Sequence, residues 1–418
     1  MSELIPAGWR LVAVDEIAKT HAGGTPSTQI NEYWEGGDIP WMSSGEIHKK
    51  RIIQTDQRIT TLGYQNSSAK FFPQKTVLVA LAGQGKTRGT VAISEIPLTT
   101  NQSIAGIVIS DKTTAPDYIF HNLDSRYEEL RAASGGSGRA GLNLSIIGEQ
   151  CLLLPPLPEQ QKIATILSSV DDVIEKTRTQ IDKLKDLKTG MMQELLTQGI
   201  GHTEFKDSPV GRIPASWSVA SLEQVALLSR GRFSHRPRND PMFYGGQYPF
   251  LQTGDIPKEA TLIKSHSQTL NERGYKVSKV FPKGTLVITI AATIGEVGVL
   301  NFDACFPDSL VGITAKNDLV HAYYLVYILK HLSSDLKSLA PQTAQKNINL
   351  EVLNPFEIPL PPLREQKLIA DAIGSVDEEL YCLLAKLSQI KKIKKALMQD
   401  LLTGKVRVNV DNPEVAAA

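Results

Sequence analysis

The stretch LPPLPEQQKIA from Leu154 returns 206 positions later as LPPLREQKLIA from Leu360. The two copies stay in step without a gap as far as MMQELLT (Met191 to Thr197) and LMQDLLT (Leu397 to Thr403). The likeness also reaches upstream. IPAGWRLVAVDEIA from Ile5 answers IPASWSVASLEQVA from Ile213, and IPWMSSGEI from Ile39 answers YPFLQTGDI from Tyr248. KFFPQKTVLVALA from Lys70 answers KVFPKGTLVITIA from Lys279, and Asn143 answers Asn349. A period this long means duplicated domains rather than a solenoid. Each half is a body of about 150 residues followed by a tail of about 45. The expected division is 1–153, a first body; 154–204, a helix and linker; 205–358, a second body; and 359–418, a second helix and tail.

The tails predict helices. Steps of four and three pass through Ile163, Leu167, Val170, Ile174, Thr177, Ile181, Leu184, Lys188, Met191 and Leu195. The second copy gives Ile369, Ile373, Val376, Leu380, Leu383, Leu387, Ile390, Lys394, Leu397 and Leu401. This is a heptad stripe broken at matched lysines. Pro158 suits a first helical turn, Glu159 and Glu365 place negative charge near the positive helix end, and Gly199 and Gly404 act as stops. One such stripe cannot bury itself. Two in one chain can bury each other as an intramolecular coiled coil; the alternative is that each packs on its own body. Lys188 and Lys394 are expected at a seam edge with their ammonium groups carried out to water.

The bodies read as mixed α/β modules. Short β-rich runs (TVLVALA, TVAISEI, SIAGIVI, TLVITIAA, SLVGITA) are followed by helical patches from Pro116 and from Val320. The bodies agree at these framework stretches and diverge between them, as two readers of different targets would; plain drift is the competing explanation.

Catalytic signals are weak. Gly85-Lys86-Thr87 lacks the earlier glycine of a phosphate loop, since Ala80 stands there, and the matching stretch has no lysine. Glu365-Gln366-Lys367 resembles part of a nuclease signature but falls at a helix start, and its copy lacks the lysine. There is no clustered carboxylate set, no HExxH and no Asn-Pro-Pro-aromatic motif for amino methyl transfer. Cys151, Cys305 and Cys382 are widely spaced and read as reduced core thiols of a cytosolic protein. No apolar run is long enough for a membrane span, the first ten residues lack a signal-peptide pattern, and the formal net charge of +1 excludes a global basic field.

Binding is left, and the loops are where it is expected. Candidate DNA contacts in the first body are Ser43, Ser44, Gln84, Lys86, Thr87, Arg88 and Arg139. Those in the second are Arg230, Arg232, His235, Arg236, Arg238, Gln252, Thr253, Gln342 and Lys346. Arginine and lysine hold phosphate or bond guanine, and glutamine suits adenine. For any single residue a solvated surface charge is the competing reading.

The paired PPLPEQQKIA and PPLREQKLIA helices, the linker FKDSPVGRIPASW from Phe205 and the ending LLTGK from Leu401 resemble the specificity subunit of type I restriction–modification enzymes. The resemblance covers nearly the whole chain. It implies two target recognition domains joined by two long antiparallel coiled-coil helices with pseudo-twofold symmetry. It implies a bipartite double-stranded DNA site and two modification subunits that carry S-adenosylmethionine. It further implies restriction subunits that use ATP and Mg²⁺, no catalytic residue, metal or cofactor on this chain, and a cytoplasmic location. A nuclease with its own centre and an adaptor that binds no DNA are the alternatives.

Overall fold

The computed structural model describes residues 5–83, 85–133, 142–235, 237, 239–340 and 347–410. They form two compact units. One takes Met1–Lys176 with Leu387–Ala418, and the other takes Thr177–Lys386. Neither follows the linear order of the tails: each unit contains part of both long helices, Leu157–Leu195 and Leu363–Leu401.

The alternating and continuous apolar runs become strands in the same order twice. In the first unit a five-stranded sheet runs Ala18–Ala22, Ile104–Ile109, Val77–Ala80, Val91–Ser94, Arg51–Ile52. In the second the order is Ala226–Arg230, Leu310–Ala315, Leu286–Thr289, Val297–Leu300, Leu262–Ile263. The last strand of each is paired parallel, through Arg51 opposite Ile93 and Leu262 opposite Val299. A four-stranded sheet accompanies each, and a two-stranded one joins the start of each body to its end, Arg10 opposite Leu154 and Ser218 opposite Leu360. The central strands are buried along their whole length, which explains their unbroken Val/Ile/Leu composition. Gly106 and Gly312 occupy matched positions where an added Cβ would lie 2.3 Å from the Phe72 ring and 2.5 Å from the Phe281 ring. An aromatic packed against bare backbone is thus part of the duplicated plan.

The helical patch from Pro116 divides into Pro116–Ser125 and Tyr127–Ala133, and its copy into Ala322–His331 and Ser333–Ser338. The linker from Phe205 is a β-hairpin, Phe205–Ser208 against Gly211–Pro214. Gly211 has φ +96°, a conformation glycine adopts without strain.

Every position of both apolar stripes is buried or half-buried. Ile163 and Leu167 share a core with Val12, Tyr118, Leu152 and with Leu401 of the second helix. Ile369 and Ile373 share one with Trp217, Tyr324, Ile358 and Leu196. Body and partner helix therefore cover each stripe together. In the first unit Asp171 meets Lys394, while Glu159 earlier in that helix meets Arg407 later in the chain. In the second, Lys188 meets Asp377 while Ile200 meets Glu365. The helices are antiparallel in both units.

Two readings need correction. The ammonium groups of Lys188 and Lys394 are paired with carboxylates and not simply carried out to water. The Lys188 ammonium lies 2.5 Å from Asp377 and donates to the Glu259 carbonyl at 3.1 Å; Lys394 lies 2.7 Å from Asp171 and 3.6 Å from Asp124. The facing helix supplies a carboxylate at each matched lysine, so pairing replaces snorkelling. The cysteines are not all core thiols: Cys305 is buried, but Cys151 and Cys382 are exposed. Cys151 points outward from an edge strand, and Cys382 lies off the buried stripe of its helix. No helix among the described residues is long and apolar enough to cross a membrane.

The glutamates at the helix starts are anchors as well as dipole partners. Glu159 accepts the Trp9 indole N–H at 3.1 Å and the Nε and Nη2 donors of Arg407 at 2.7 and 2.8 Å. Glu365 accepts the Trp217 indole at 3.1 Å, His202 at 2.8 Å and the Ile200 N–H at 3.0 Å. The E-x-K resemblance is thereby given a structural purpose.

A titratable group is buried beside the Lys394 pair. Burial first, then the Lys394 and Arg51 charges, push the His121 imidazole down to about 3 from 6.5. Its Nε2 lies 3.0 Å from Ser168 Oγ. The Asp171 carboxylate, 3.9 Å from Nδ1, is already held by Lys394 and does not draw a proton onto the ring. Between pH 6.5 and 3 the unfolded chain binds a proton that the folded chain does not. Stability is therefore complete above pH 6.5 and falls on acidification, by about 1.4 kcal/mol per pH unit. Replacing His121→Tyr, the residue type at the matched Tyr327, is expected to flatten the urea midpoint between pH 6.5 and 5. An unchanged pH slope would show that other groups set it.

Candidate nucleic-acid interface

In the first unit, the turn after strand Ile39–Met42 is organised by a buried carboxylate. Glu46 accepts the Ser43 N–H at 3.1 Å, the Lys49 ammonium at 2.8 Å and the Asp56 N–H at 3.0 Å. Ser43 and Ser44 are half-buried at its start, and Asn101 Nδ2 lies 3.4 Å from Ser44 Oγ. The second unit repeats the device: Asp255 accepts the Gln252 N–H at 2.7 Å and Ser267 Oγ at 2.8 Å, which sets Gln252 and Thr253 at the corresponding place. The Gln252 side chain donates to Gln268 at 2.8 Å.

The loop with Lys86, Thr87 and Arg88 joins two antiparallel strands, so the phosphate-loop look leads into a strand, with no helix N-terminus to receive a phosphate. Gly83, Gly85 and Gly89 all have positive φ there. Arg131 donates to the Gly85 carbonyl at 2.7 Å and Tyr127 to the Lys86 carbonyl at 2.9 Å. The backbone is thus held while the Lys86 side chain is exposed. His48 Nε2 lies 3.2 Å from Thr87 Oγ1, which brings this loop against the Ser43–Lys49 turn. Two stretches far apart in sequence therefore form one polar surface.

In the second unit the basic segment is strapped down. Arg230 donates to the Asp308 carbonyl at 2.6 Å and Arg232 to the Ser278 carbonyl at 3.0 Å, while Ser278 Oγ returns a bond to the Arg232 carbonyl at 2.8 Å. A guanidinium has five donors, so each keeps several for a ligand. Phe233 packs on Phe243, Tyr244 and Phe250, which seats the segment beside the strand that ends before Gln252. His235 packs on Phe243 with ring centres 4.2 Å apart and planes tilted by 41°, and lies 3.5 Å from Asp240. Lys279 bonds Ser229 Oγ and adds a third cation. Sequence reading passed over Lys279 and His48. The signal for Lys279 was its place in the matched KFFP/KVFP pair, read only as framework; nothing local singled out His48. Gln84, Arg139, Arg236, Arg238, Gln342 and Lys346 lie outside the described residues. No group of three or more His, Cys, Asp or Glu suited to a metal ion occurs among the described residues.

Between Ala80 and Val91 lie ten residues, and between the matched Thr289 and Val297 lie seven. One scaffold thus carries two different loops.

Residues 6–186 and 214–395 each match the family described as type I restriction modification DNA specificity domain. A putative type I restriction enzyme MjaX specificity subunit of Methanocaldococcus jannaschii is 33% identical over 260 residues, 61% of this chain and 59% of that relative, less than two thirds of its length. The MjaIX specificity subunit of the same organism is 26% identical over 97% of this chain and 95% of its own. In fold, the chain is similar to the type I restriction–modification S subunit from M. genitalium, with TM-score 0.65, 14% identity and coverage of 96% and 98%. A chain from a structural study of type I complex assembly and conformational transition gives TM-score 0.54 at 18% identity, covering 96% and 100%.

Proposed function

The chain belongs to the type I restriction–modification DNA specificity family, and on that premise we propose that its two units read the two halves of one interrupted, asymmetric DNA site. The observation that supports this most is the repetition of one strand order under loops of different length and chemistry. Identical scaffolds present both readers in the same way, and dissimilar loops read dissimilar bases. The long helices act as the spacer and, with their flanks, as the platform for two modification subunits. Those subunits carry S-adenosylmethionine and methylate adenine; restriction subunits with ATP and Mg²⁺ complete the assembly. This chain supplies no catalytic group. Its own chemistry is to hold phosphates with Lys86, Arg230, Arg232 and Lys279 and to present Ser43, Ser44, Gln252 and Thr253 to base edges.

The test is a gel shift of the assembled complex. Duplexes that differ only in the bases of the gap, at constant gap length, are expected to bind almost equally, whereas dependence on every base would sink the bipartite reading. In the same assay, Arg230→Ala with Arg232→Ala is expected to weaken binding about tenfold and to lower the slope of log affinity against log salt by about two, one per phosphate contact. An unchanged slope would remove this segment from the backbone contacts. Cleavage of DNA by the chain alone with Mg²⁺ would favour a nuclease instead.

A further inference from the structure

The duplication allows the same groove to be compared twice within one molecule. It lies between each body and the first turns of the helix that follows that body. In the first unit the groove holds the chain's own guanidinium. Arg51 donates to Asp117 at 2.9 Å and to Ser168 Oγ at 2.7 Å, pairs with Glu95, and lies 5.6 Å from the Phe120 ring centre. Lys75 joins the same carboxylates, 2.8 Å from Glu95 and 3.2 Å from Asp117. Burial opposes the Arg51 charge, yet Asp117 and Glu95 hold its pKa above the ordinary value.

In the second unit all the partners of that network are exchanged. Strand pairing and helix register place Leu262 where Arg51 stands, Tyr323 for Asp117, Asn301 for Glu95, Gly284 for Lys75 and Gly374 for Ser168. The groove there is a cleft of about 680 Å³ whose walls carry no arginine and are lined by tyrosines and carboxylates, among them Tyr323, Tyr381, Asp371 and Glu378. Tyr323 and Tyr381 are 39% and 49% exposed. Asp371 and Glu378 are exposed and form no ion pair among the described residues, while Asp377 beneath them is held by Lys188. Lys264 already stacks 3.1 Å from the Tyr381 ring centre, which shows that this wall accepts a cation. The Nδ1 of His321, which also lines the cleft, is buried without a hydrogen-bond partner among the described residues. As an acceptor it suits an N–H donor.

We propose that this cleft of the second unit is a receptor for an arginine side chain of a protein partner, which would occupy the place that Arg51 fills in the first unit. Two unpaired carboxylates attract the charge, and tyrosine faces suit a planar cation. DNA is disfavoured there by the same carboxylates. The matched groove of the first unit, about 750 Å³, carries Arg51 on its own wall, so the two units present surfaces of different charge to a partner despite one fold.

The inference stands apart from DNA reading, and its test uses none. The full chain, with isotope-labelled Ile and Ala methyl groups, is titrated with N-acetyl-arginine methylamide and, as control, N-acetyl-glutamine methylamide. Saturable shifts at Ile263 and Ala370 are expected with the arginine probe only. Leu262→Arg should abolish them by filling the cleft from within. Asp371→Asn with Glu378→Gln, both on the surface of a helix and harmless to folding, should weaken the probe about tenfold. Absence of saturable shifts in the unaltered chain, equal shifts with the glutamine probe, or retention of full affinity in the double variant would each overturn the proposal.

Discussion

Lys188→Met is expected to lower the stability of the second unit by about 3–5 kcal/mol, the range for removing one partner of a buried ion pair. The side chains of Lys188 and Asp377 are only 11% and 13% exposed and lie 2.5 Å apart. Asp377 also accepts the Tyr327 hydroxyl at 3.0 Å and a bond from Thr261, so it cannot turn away to water when its counter-ion is lost. The matched change in the first unit should cost about half as much. There Asp171 is 27% exposed, and Asp124 keeps Lys50 at 2.5 Å after Lys394 is removed. Changing Lys188→Met together with Asp377→Leu should recover most of the loss, because no charge is then left stranded. Urea unfolding followed by fluorescence of Trp217, which belongs to the second unit, measures this directly. A loss below about 1 kcal/mol would mean that the pair behaves like one at the surface.

Adding one heptad to each long helix is expected to change which DNA the complex accepts. Seven residues at 1.5 Å rise lengthen each helix by about 10 Å. With about 34 Å per turn of ~10 base pairs, the preferred gap between half-sites should grow by roughly three base pairs. The insertions must keep the antiparallel register in which Asp171 meets Lys394 and Lys188 meets Asp377. The natural site should then bind at least tenfold more weakly than one with the longer gap, since a displaced reader loses its base contacts. A retained preference for the natural gap would show that the helices do not set the distance. Competition binding of the assembled complex to duplexes that differ only in gap length decides between these outcomes.

The duplication, the long helices and the strand runs were legible because each rests on spacing. A heptad stripe, an Asn at a helix start and a buried Val/Ile run are local signals. Asn143 and Asn349, for instance, accept the Ile146 and Val352 N–H groups as N-caps in both copies. The fate of Lys188 and Lys394 was not legible. Their carboxylate partners lie on the other helix, and periodicity within one helix says nothing about what faces a polar break. The clamps of Glu159 and Glu365 on Trp9 and Trp217 were missed for the same reason, since the partners are about 150 residues apart. At the interface, sequence reading found the loops but not their tethers. That His48 lies against Thr87, and that Arg232 is tied to Ser278, depends on strand order rather than composition. The partition of each helix between the two units was equally hidden, because it follows from antiparallel pairing and not from the order of residues along the chain.

Mapping methylated adenines across the genome of cells that carry this chain with its modification partner tests the central claim most directly. The account predicts one asymmetric motif in two parts with an unread gap of fixed length. It further predicts that exchanging the loops of the second unit, residues 230–240 and 290–296, alters one part and leaves the other as it was. A continuous motif, or a change in both parts after that exchange, would contradict it.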